Sequence, residues 1–325
     1  MIADPQTPGW EPELTAALGH LGPGPYAVRS SAAVEDGDDA SYAGQFHTSL
    51  NVPATGVAHA VARSVGSHHG PAARAYAAAL GRRAVGTMSV IVQRMIEPEA
   101  AGLAFTRHPV TGAEAVVIEA AAGLGDQVVA GLAAPQRWVV RHGVATADRA
   151  GRVLTCEQAL ALAGTALRVE ELFGRPQDIE WAIAAGTTWL LQSRPITGAP
   201  RRTPGAIAAG AGAVLTTGTP ASPGAAAGPV RVIRDLDDFE RFRPGDVLVC
   251  RATSPAWTPP LTLAAAVVTE TGGLLAHAAI VARELGIPAV TDATEPMSAL
   301  SDDQVVVVDG ATGAVTALVA QASRR

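Results

Sequence analysis

No lysine occurs in the 325 residues; all 24 basic side chains are arginine. A GC-rich coding bias toward Arg, Ala, Gly and Pro accounts for this, but the chemical consequence stands. Any phosphate clamp here must use Arg, backbone N–H groups or a metal. Cysteine is nearly absent too. Cys156 and Cys250 are far apart and outside any CxxC spacing, which argues against a disulfide framework and a zinc site and predicts a reducing, cytoplasmic setting. No basic stripe interrupts the interleaved charges that sum to −6, so nucleic acid is not an expected partner. No apolar run reaches membrane-spanning length, and the longest, such as Leu261–Thr269, are too short. The acidic, Pro-rich start has neither a basic n-region nor an apolar h-region and does not read as a signal peptide.

The chain has 48% hydrophobic and 17% charged residues, a globular composition whose length suits two domains. The composition shifts at Thr197. Gly198–Gly212 (GAPRRTPGAIAAGAG) has no helical or strand periodicity and reads as a linker of up to about 50 Å when extended. The expected organisation is one domain over 1–197, a linker over 198–212 and a second domain over 213–325. In the first, Trp10–Leu21, Val57–Leu80 and Cys156–Phe173 read as helices. Tyr26–Arg29, Met88–Gln93, Val116–Ala120, Arg137–Val140 and Thr188–Gln192 read as strands. In the second, Val230–Ile233, Asp246–Val249, Ala265–Thr269, Ala289–Val290 and Gln304–Asp309 read as strands. Ala278–Leu285 reads as a helix closed by Gly286, with Pro288 beyond. Both halves are therefore α/β or α+β.

One segment of the second half suggests chemistry. After the strand ending at Thr269, Gly272 and Gly273 make a turn and His277 stands at the start of a helix. Glycines there allow positive φ and let backbone N–H groups point at a ligand. A helix N-terminus favours negative charge, and a neutral imidazole is a competent nucleophile. A lone histidine in such a place is more often a cap or core residue, so the segment needs support from its surroundings. In the first half, Glu180 and Gln192 are hard oxygen ligands suited to Mg²⁺, on what read as two adjacent strands joined at Ala185-Gly186. Arg194 lies two residues past Gln192 and shares its face. Metal and cation together are what phosphoryl transfer requires; the plainer reading is a surface salt-bridge cluster.

GGLLAHAAIVARELGIPAV (272–290) resembles the phosphohistidine signature of the phosphoenolpyruvate-utilising dikinase family, which includes phosphoenolpyruvate synthase, pyruvate phosphate dikinase and rifampin phosphotransferase. GTPASPGAAAGPVRVI (218–233), PGDVLVCRATSPAWTP (244–259) and VVVVDGATGAVT (305–316) extend that likeness through the second half. Ala276 departs from the Ser or Thr that many relatives carry. YAVRSSAAVEDGDDASYAGQFHTSLNV (26–52), VIVQRMIEPEAAGLAFTRHPVTG (90–112), VIEAAAGLGDQVVAGLAAPQRWVV (117–140) and PQDIEWAIAAGTTWLLQSRPIT (176–197) resemble the family's nucleotide-binding domain.

The resemblance implies a partial ATP-grasp domain followed by a swivelling β/β/α phosphohistidine domain. It implies His277 as the residue that is phosphorylated, with ATP and Mg²⁺ as cofactors. Arg29 would contact the phosphates, Gly44 and Thr48 would lie along them, and Gln93 would sit near the nucleotide. Glu180 and Gln192 would hold Mg²⁺, and Arg194 would stabilise the transferring group. The family's β-phosphoryl group goes to histidine, with AMP and phosphate as by-products, and then to an acceptor that the sequence does not name.

The family's nucleotide domain also has a glycine-rich, lysine-bearing segment upstream of its VRSS motif, here Val28–Ser31. Three explanations stay open: a truncated domain, a second polypeptide completing the nucleotide site, or a start placed too far downstream. The acceptor is expected to be a small molecule or a group bound to another protein. The leading expectation is an ATP-dependent phosphotransferase of the dikinase type. The alternatives are a partner-dependent phosphocarrier or regulatory subunit, and a bare nucleotide-binding module, which leaves the histidine half without a role.

Overall fold

Burial along Tyr26–Ala32 and Met88–Arg94 is periodic: Tyr26 and Val28, and Val90 and Val92, turn inward. Strands of this kind pair with one face on a core. The computed structural model describes residues 2–3, 10–32, 46–79, 81, 88–124, 135–148, 153–196, 212–274 and 276–318. It divides the chain into two compact units, Met1–Glu97 and Pro98–Arg325. Of the expected linker 198–212, all but Gly212 lies outside the described residues.

The first unit holds an antiparallel sheet of β1 (Ile2–Ala3), β2 (Tyr26–Ala32), β3 (Ser49–Val52) and β4 (Met88–Arg94), in the order β1-β4-β2-β3. Leu14 from the Trp10–Leu21 helix and Val57, Ala60 and Val61 from the next helix pack on its inner face. The helix expected over Val57–Leu80 is interrupted. It runs Val57–Gly66, passes through a 3-10 turn at Ser67–His69, and restarts at Pro71–Ala79; Leu80 lies outside the described residues. Proline disfavours helical backbone in the residue before it, and Gly70 is extended at φ −66°, ψ 157°.

The second unit contains a six-stranded antiparallel sheet. Its strands are β5 (Ala100–Phe105), β6 (Val116–Ala122), β7 (Gln136–Arg141), β8 (Val144–Ala147), β9 (Gln177–Ala184) and β10 (Thr187–Pro195), in the order β10-β9-β5-β6-β7-β8. The Cys156–Phe173 helix lies against one face, burying Ile118, Trp138, Ile179 and Trp181 against Ala159, Leu162, Ala163 and Ala166. Thr155 and Gln158 form a reciprocal capping box at its start, and Gly174 closes it at φ 68°.

The remaining strands form a mixed eight-stranded sheet. They are β11 (Val214–Thr217), β12 (Thr219–Ser222), β13 (Ala225–Val232), β14 (Val247–Cys250), β15 (Ala266–Thr269), β16 (Ala289–Thr291), β17 (Val305–Asp309) and β18 (Ala314–Ala317). Strands β13 to β16 run parallel, and β11, β12, β17 and β18 pair antiparallel. A helix at His277–Leu285 packs Ala278, Ala279, Val281 and Ala282 onto Leu248, Cys250 and Val267. It begins at His277 and ends at left-handed Gly286, φ 69°, as the Gly-then-Pro ending implies.

Strand β5 escaped the sequence reading, since AAGLAF is poor in β-branched residues. Its glycine has a specific cause: a Cβ on Gly102 would run into the Glu119 carbonyl oxygen of β6. Gly102→Ala is expected to destabilise the second unit by about 1–3 kcal/mol or more, the usual cost of overpacking. A denaturant titration against the wild type measures it, with Ala101→Gly as the size-matched control.

Candidate functional site

The hairpin of β9 and β10 turns at Ala185 and Gly186, both at positive φ (49° and 70°), the two-residue turn that matches strand twist. A regular ladder from this turn would set Leu191 against Glu180. Instead the register shifts between Leu190 and Gln192, so that Gln192 lies opposite Glu180 and Arg194 opposite Asp178. That bulge moves Gln192 and Arg194 onto the Glu180 face. One cross-strand row then reads Gln192, Glu180, Leu103, Glu119, Arg137. Glu180, Gln192 and Arg194 are therefore brought together by the bulge, where regular spacing from the turn would have kept Gln192 and Arg194 off the Glu180 face.

Asp178 completes the group, and the sequence reading did not single it out. Arg194 donates through Nε to Asp178 Oδ2 at 2.8 Å, and both side chains are buried. Burial pushes the Asp178 carboxyl above the usual carboxylate range, while Arg194 draws it back. Its second oxygen, Oδ1, is buried with no hydrogen-bond partner. Its position two residues before Glu180 on one strand was the available signal.

A hard cation fits this face in a particular way. Among the described residues no three His, Cys, Asp or Glu side chains are grouped to hold a metal by themselves. A carboxylate beside an amide, with an unpartnered carboxylate oxygen next to them, suits Mg²⁺. That ion binds through one or two carboxylates and completes its shell with water and substrate phosphates.

His277 lies in the eight-stranded sheet's half of the unit. Strands β14 and β15 are parallel, with Cys250 beside Thr269. The loops leaving their carboxyl ends emerge together, the usual place for sites in parallel sheets. The β14 loop carries Thr253 and Thr258, and the β15 loop leads to His277. Thr253 Oγ1 lies 2.9 Å from His277 Nδ1, and Thr258 Oγ1 lies 3.3 Å from Nε2. The imidazole is 4% exposed, and burial lowers its pKa to about 4. It is neutral at pH 7 and held at both nitrogens. Both threonines stand in a segment that the sequence flagged as a motif, without their role being read.

Ala276 is the N-cap and offers no side-chain hydrogen bond, in line with its departure from the Ser or Thr of relatives. Of the two glycines, only Gly272 takes the positive φ expected of both, 114°. At Gly273 a side chain would collide with the Glu119 carboxylate, and the next N–H, of Leu274, points at that carboxylate.

Arg29 and Gln93 lie in the first unit. Gln93 opposes Ala27, so Arg29 and Gln93 share the sheet face turned away from Val28 and Val92. Thr48 is exposed and immediately precedes β3, whose Ser49 opposes Val28. Gly44 lies outside the described residues. No helix among the described residues is long and apolar enough to cross a membrane.

The buried imidazole carries a pH signature. Its folded pKa is lower than its unfolded value, so between pH 6.5 and 4 the unfolded chain binds more protons. Stability is expected to be full above pH 6.5 and to fall by up to about 1.4 kcal/mol per pH unit toward pH 4. His277→Gln is expected to flatten that slope in urea titrations at successive pH values. An unchanged slope would show that other groups set it.

The chain matches the family model described as pyruvate phosphate dikinase, AMP/ATP-binding domain, over residues 11–145 and 140–211. It matches the PEP-utilising enzyme, mobile domain, over 242–313. It is 37% identical over 322 residues to a probable phosphoenolpyruvate synthase of Archaeoglobus fulgidus, covering 89% of this chain and 43% of the relative. Phosphoenolpyruvate synthases of Aeropyrum pernix and Escherichia coli are each 36% identical, with 90% of this chain covered and 44% and 43% of theirs. The chain thus spans less than half the length of these relatives. By both matches and by the identity it shares with them, the chain belongs to the phosphoenolpyruvate-utilising dikinase family.

Proposed function

We propose that the chain is an ATP-dependent phosphotransferase of the dikinase type, with His277 as its phosphoryl carrier. The observation that carries this reading is the neutral, oriented imidazole at the start of a helix, held by Thr253 and Thr258. With its proton on Nδ1, donated to Thr253 Oγ1, the ring keeps a lone pair on Nε2 as the nucleophile, and the longer Thr258 contact there gives way on attack. Nε2 attacks the β-phosphorus of ATP, an N–P bond forms, and the bridging P–O bond to AMP breaks with its electron pair on the AMP oxygen. Water then attacks the γ-phosphorus, the β–γ bridging bond breaks, phosphate leaves, and one phosphoryl group stays on Nε2. In dikinase chemistry the transferred group is the β-phosphoryl of ATP. The N-terminus of the His277–Leu285 helix then faces the added negative charge.

The nucleotide side uses the sheet face of β9 and β10. Glu180 and Gln192 would hold Mg²⁺, which when bound neutralises phosphate charge. Arg194, set in place by Asp178, offers a planar guanidinium to the transferring group. By the family resemblance, Arg29 would contact the phosphates and Gln93 the nucleotide, with Gly44 and Thr48 along the polyphosphate. We divide the chain into a nucleotide-binding domain over 1–197, a linker over 198–212 and a phosphohistidine domain over 213–325. The relatives are named for phosphoenolpyruvate synthesis, which makes that chemistry the first candidate for the acceptor step.

Incubation with Mg²⁺ and ATP labelled at the β-phosphate is expected to give an acid-labile, base-stable adduct, as a phosphoramidate is, and His277→Ala to abolish it. Label that persists in His277→Ala overturns the assignment. Glu180→Ala, Gln192→Ala and Arg194→Ala are each expected to reduce the rise in Tm produced by ATP·Mg²⁺, measured against the same variant without nucleotide. Full ATP-dependent stabilisation in all three would put the nucleotide elsewhere.

A further inference from the structure

Glu119 is fully buried, 0% exposed, in the middle of β6. Its place in the sheet opposes Arg137 on one side and Leu103 on the other. Arg137 holds Oε1 from Nε at 3.0 Å and from a terminal nitrogen at 2.9 Å. The same oxygen accepts the Leu274 backbone N–H at 2.9 Å. Leu274 is three residues before His277, and its side chain, 2% exposed, sits among Leu103, Phe105, Val110 and Val117. Gly273 lets the turn approach, because any Cβ there would meet the Glu119 carboxylate. From the other side, Arg283 of the His277 helix donates to the Leu274 carbonyl at 2.8 Å and to the Ala221 carbonyl at 2.9 Å. The turn before His277 is thus clamped, with its N–H on the six-stranded sheet and its C=O on its own helix.

We propose that Glu119 is the positioning residue that docks the His277 turn onto the sheet face carrying Asp178, Glu180, Gln192 and Arg194. Glu119 and Glu180 lie opposite the same residue, Leu103, from its two sides. They are therefore two strand spacings apart, roughly 10 Å. A turn held at Glu119 keeps the His277 helix in register with the metal-binding pair, while Arg137 balances the buried charge. A carboxylate does this better than a neutral acceptor because a hydrogen bond to an ionised group is roughly twice as strong as a neutral one. One charge-assisted bond and one buried leucine make a small contact, which leaves the docking reversible, as a carrier that must reach a second site requires.

The role of the docking rests on the phosphotransfer reading; the docking contact itself does not, and the test separates them. In the full chain, amide hydrogen exchange at Leu274 is expected to be slow. Glu119→Ala and Gly273→Ala are expected to speed it by at least tenfold, while amides of β14 and of the Cys156–Phe173 helix keep their protection. Glu119→Gln, which retains an acceptor, is expected to fall between. Labelling of His277 by ATP·Mg²⁺ is expected to slow by about ten- to a hundredfold in Glu119→Ala and Gly273→Ala, the scale of a misplaced reacting group, at an unchanged ATP-dependent rise in Tm. Should Glu119→Ala fail to fold, Gly273→Ala decides alone, since it removes nothing from the six-stranded sheet. Unchanged Leu274 exchange, or unchanged labelling with exchange accelerated, overturns the proposal. Absence of wild-type labelling would count against the phosphotransfer reading alone, and the exchange result would still decide whether Glu119 docks the turn.

Discussion

Carboxylates on a covered sheet face need cations beside them, and in a chain without lysine those side-chain cations are guanidinium groups. Asp178 meets Arg194, and Glu119 meets Arg137. Arg283 lies within the fields of Asp178 and Glu119, and burial lowers its pKa to about 10, still far above neutrality. A guanidinium is planar and forked, so each pairing fixes direction as well as charge. Arg194 and Arg137 are anchored on neighbouring carboxylates and reach the face in set orientations. The acidic face of β5, β6, β9 and β10 can persist under cover because those pairings exist.

The two faces of the six-stranded sheet divide the work. One is apolar and packs Trp138, Ile179 and Trp181 against the Cys156–Phe173 helix. The other carries the polar row from Gln192 to Arg137, broken by Leu103. Leu103 and its neighbours Phe105, Val110 and Val117 form the patch that receives Leu274. Packing on the first face holds the strands rigid, and that rigidity sets the spacing along the second. A site on sheet strands is held more firmly than one on loops.

In the eight-stranded sheet the same economy appears at the carboxyl ends of β14 and β15. Parallel pairing makes the two loops neighbours, so Thr253 and Thr258 reach a histidine that is 24 and 19 residues away in sequence. Removing the imidazole from water keeps it unprotonated at neutral pH, and the two hydroxyls satisfy its nitrogens. Burial, orientation and charge state thus have one cause.

Local sequence determined much of this. The Cys156–Phe173 helix is legible from its periodicity and cap, and the His277 helix from the Gly-Gly turn before it and Gly286 after it. Arg194 sharing a face with Gln192 follows from the two-residue period of any strand. The tertiary structure alone decided the rest. The extra residue at Leu190–Gln192 put Gln192 opposite Glu180, and bulge position depends on how a whole ladder settles. Strand β5 is invisible to propensity because it is built largely of Ala and Gly, with Gly102 required by the close approach of the Glu119 carbonyl in β6. The long helix expected after Val57 broke where Pro71 imposed its own backbone. Thr253, Thr258, Asp178 and Glu119 acquired their places from pairings across 24, 19, 16 and 155 residues. Sequence periodicity reports which way a side chain faces within its own element; which side chain it meets depends on how the elements are assembled.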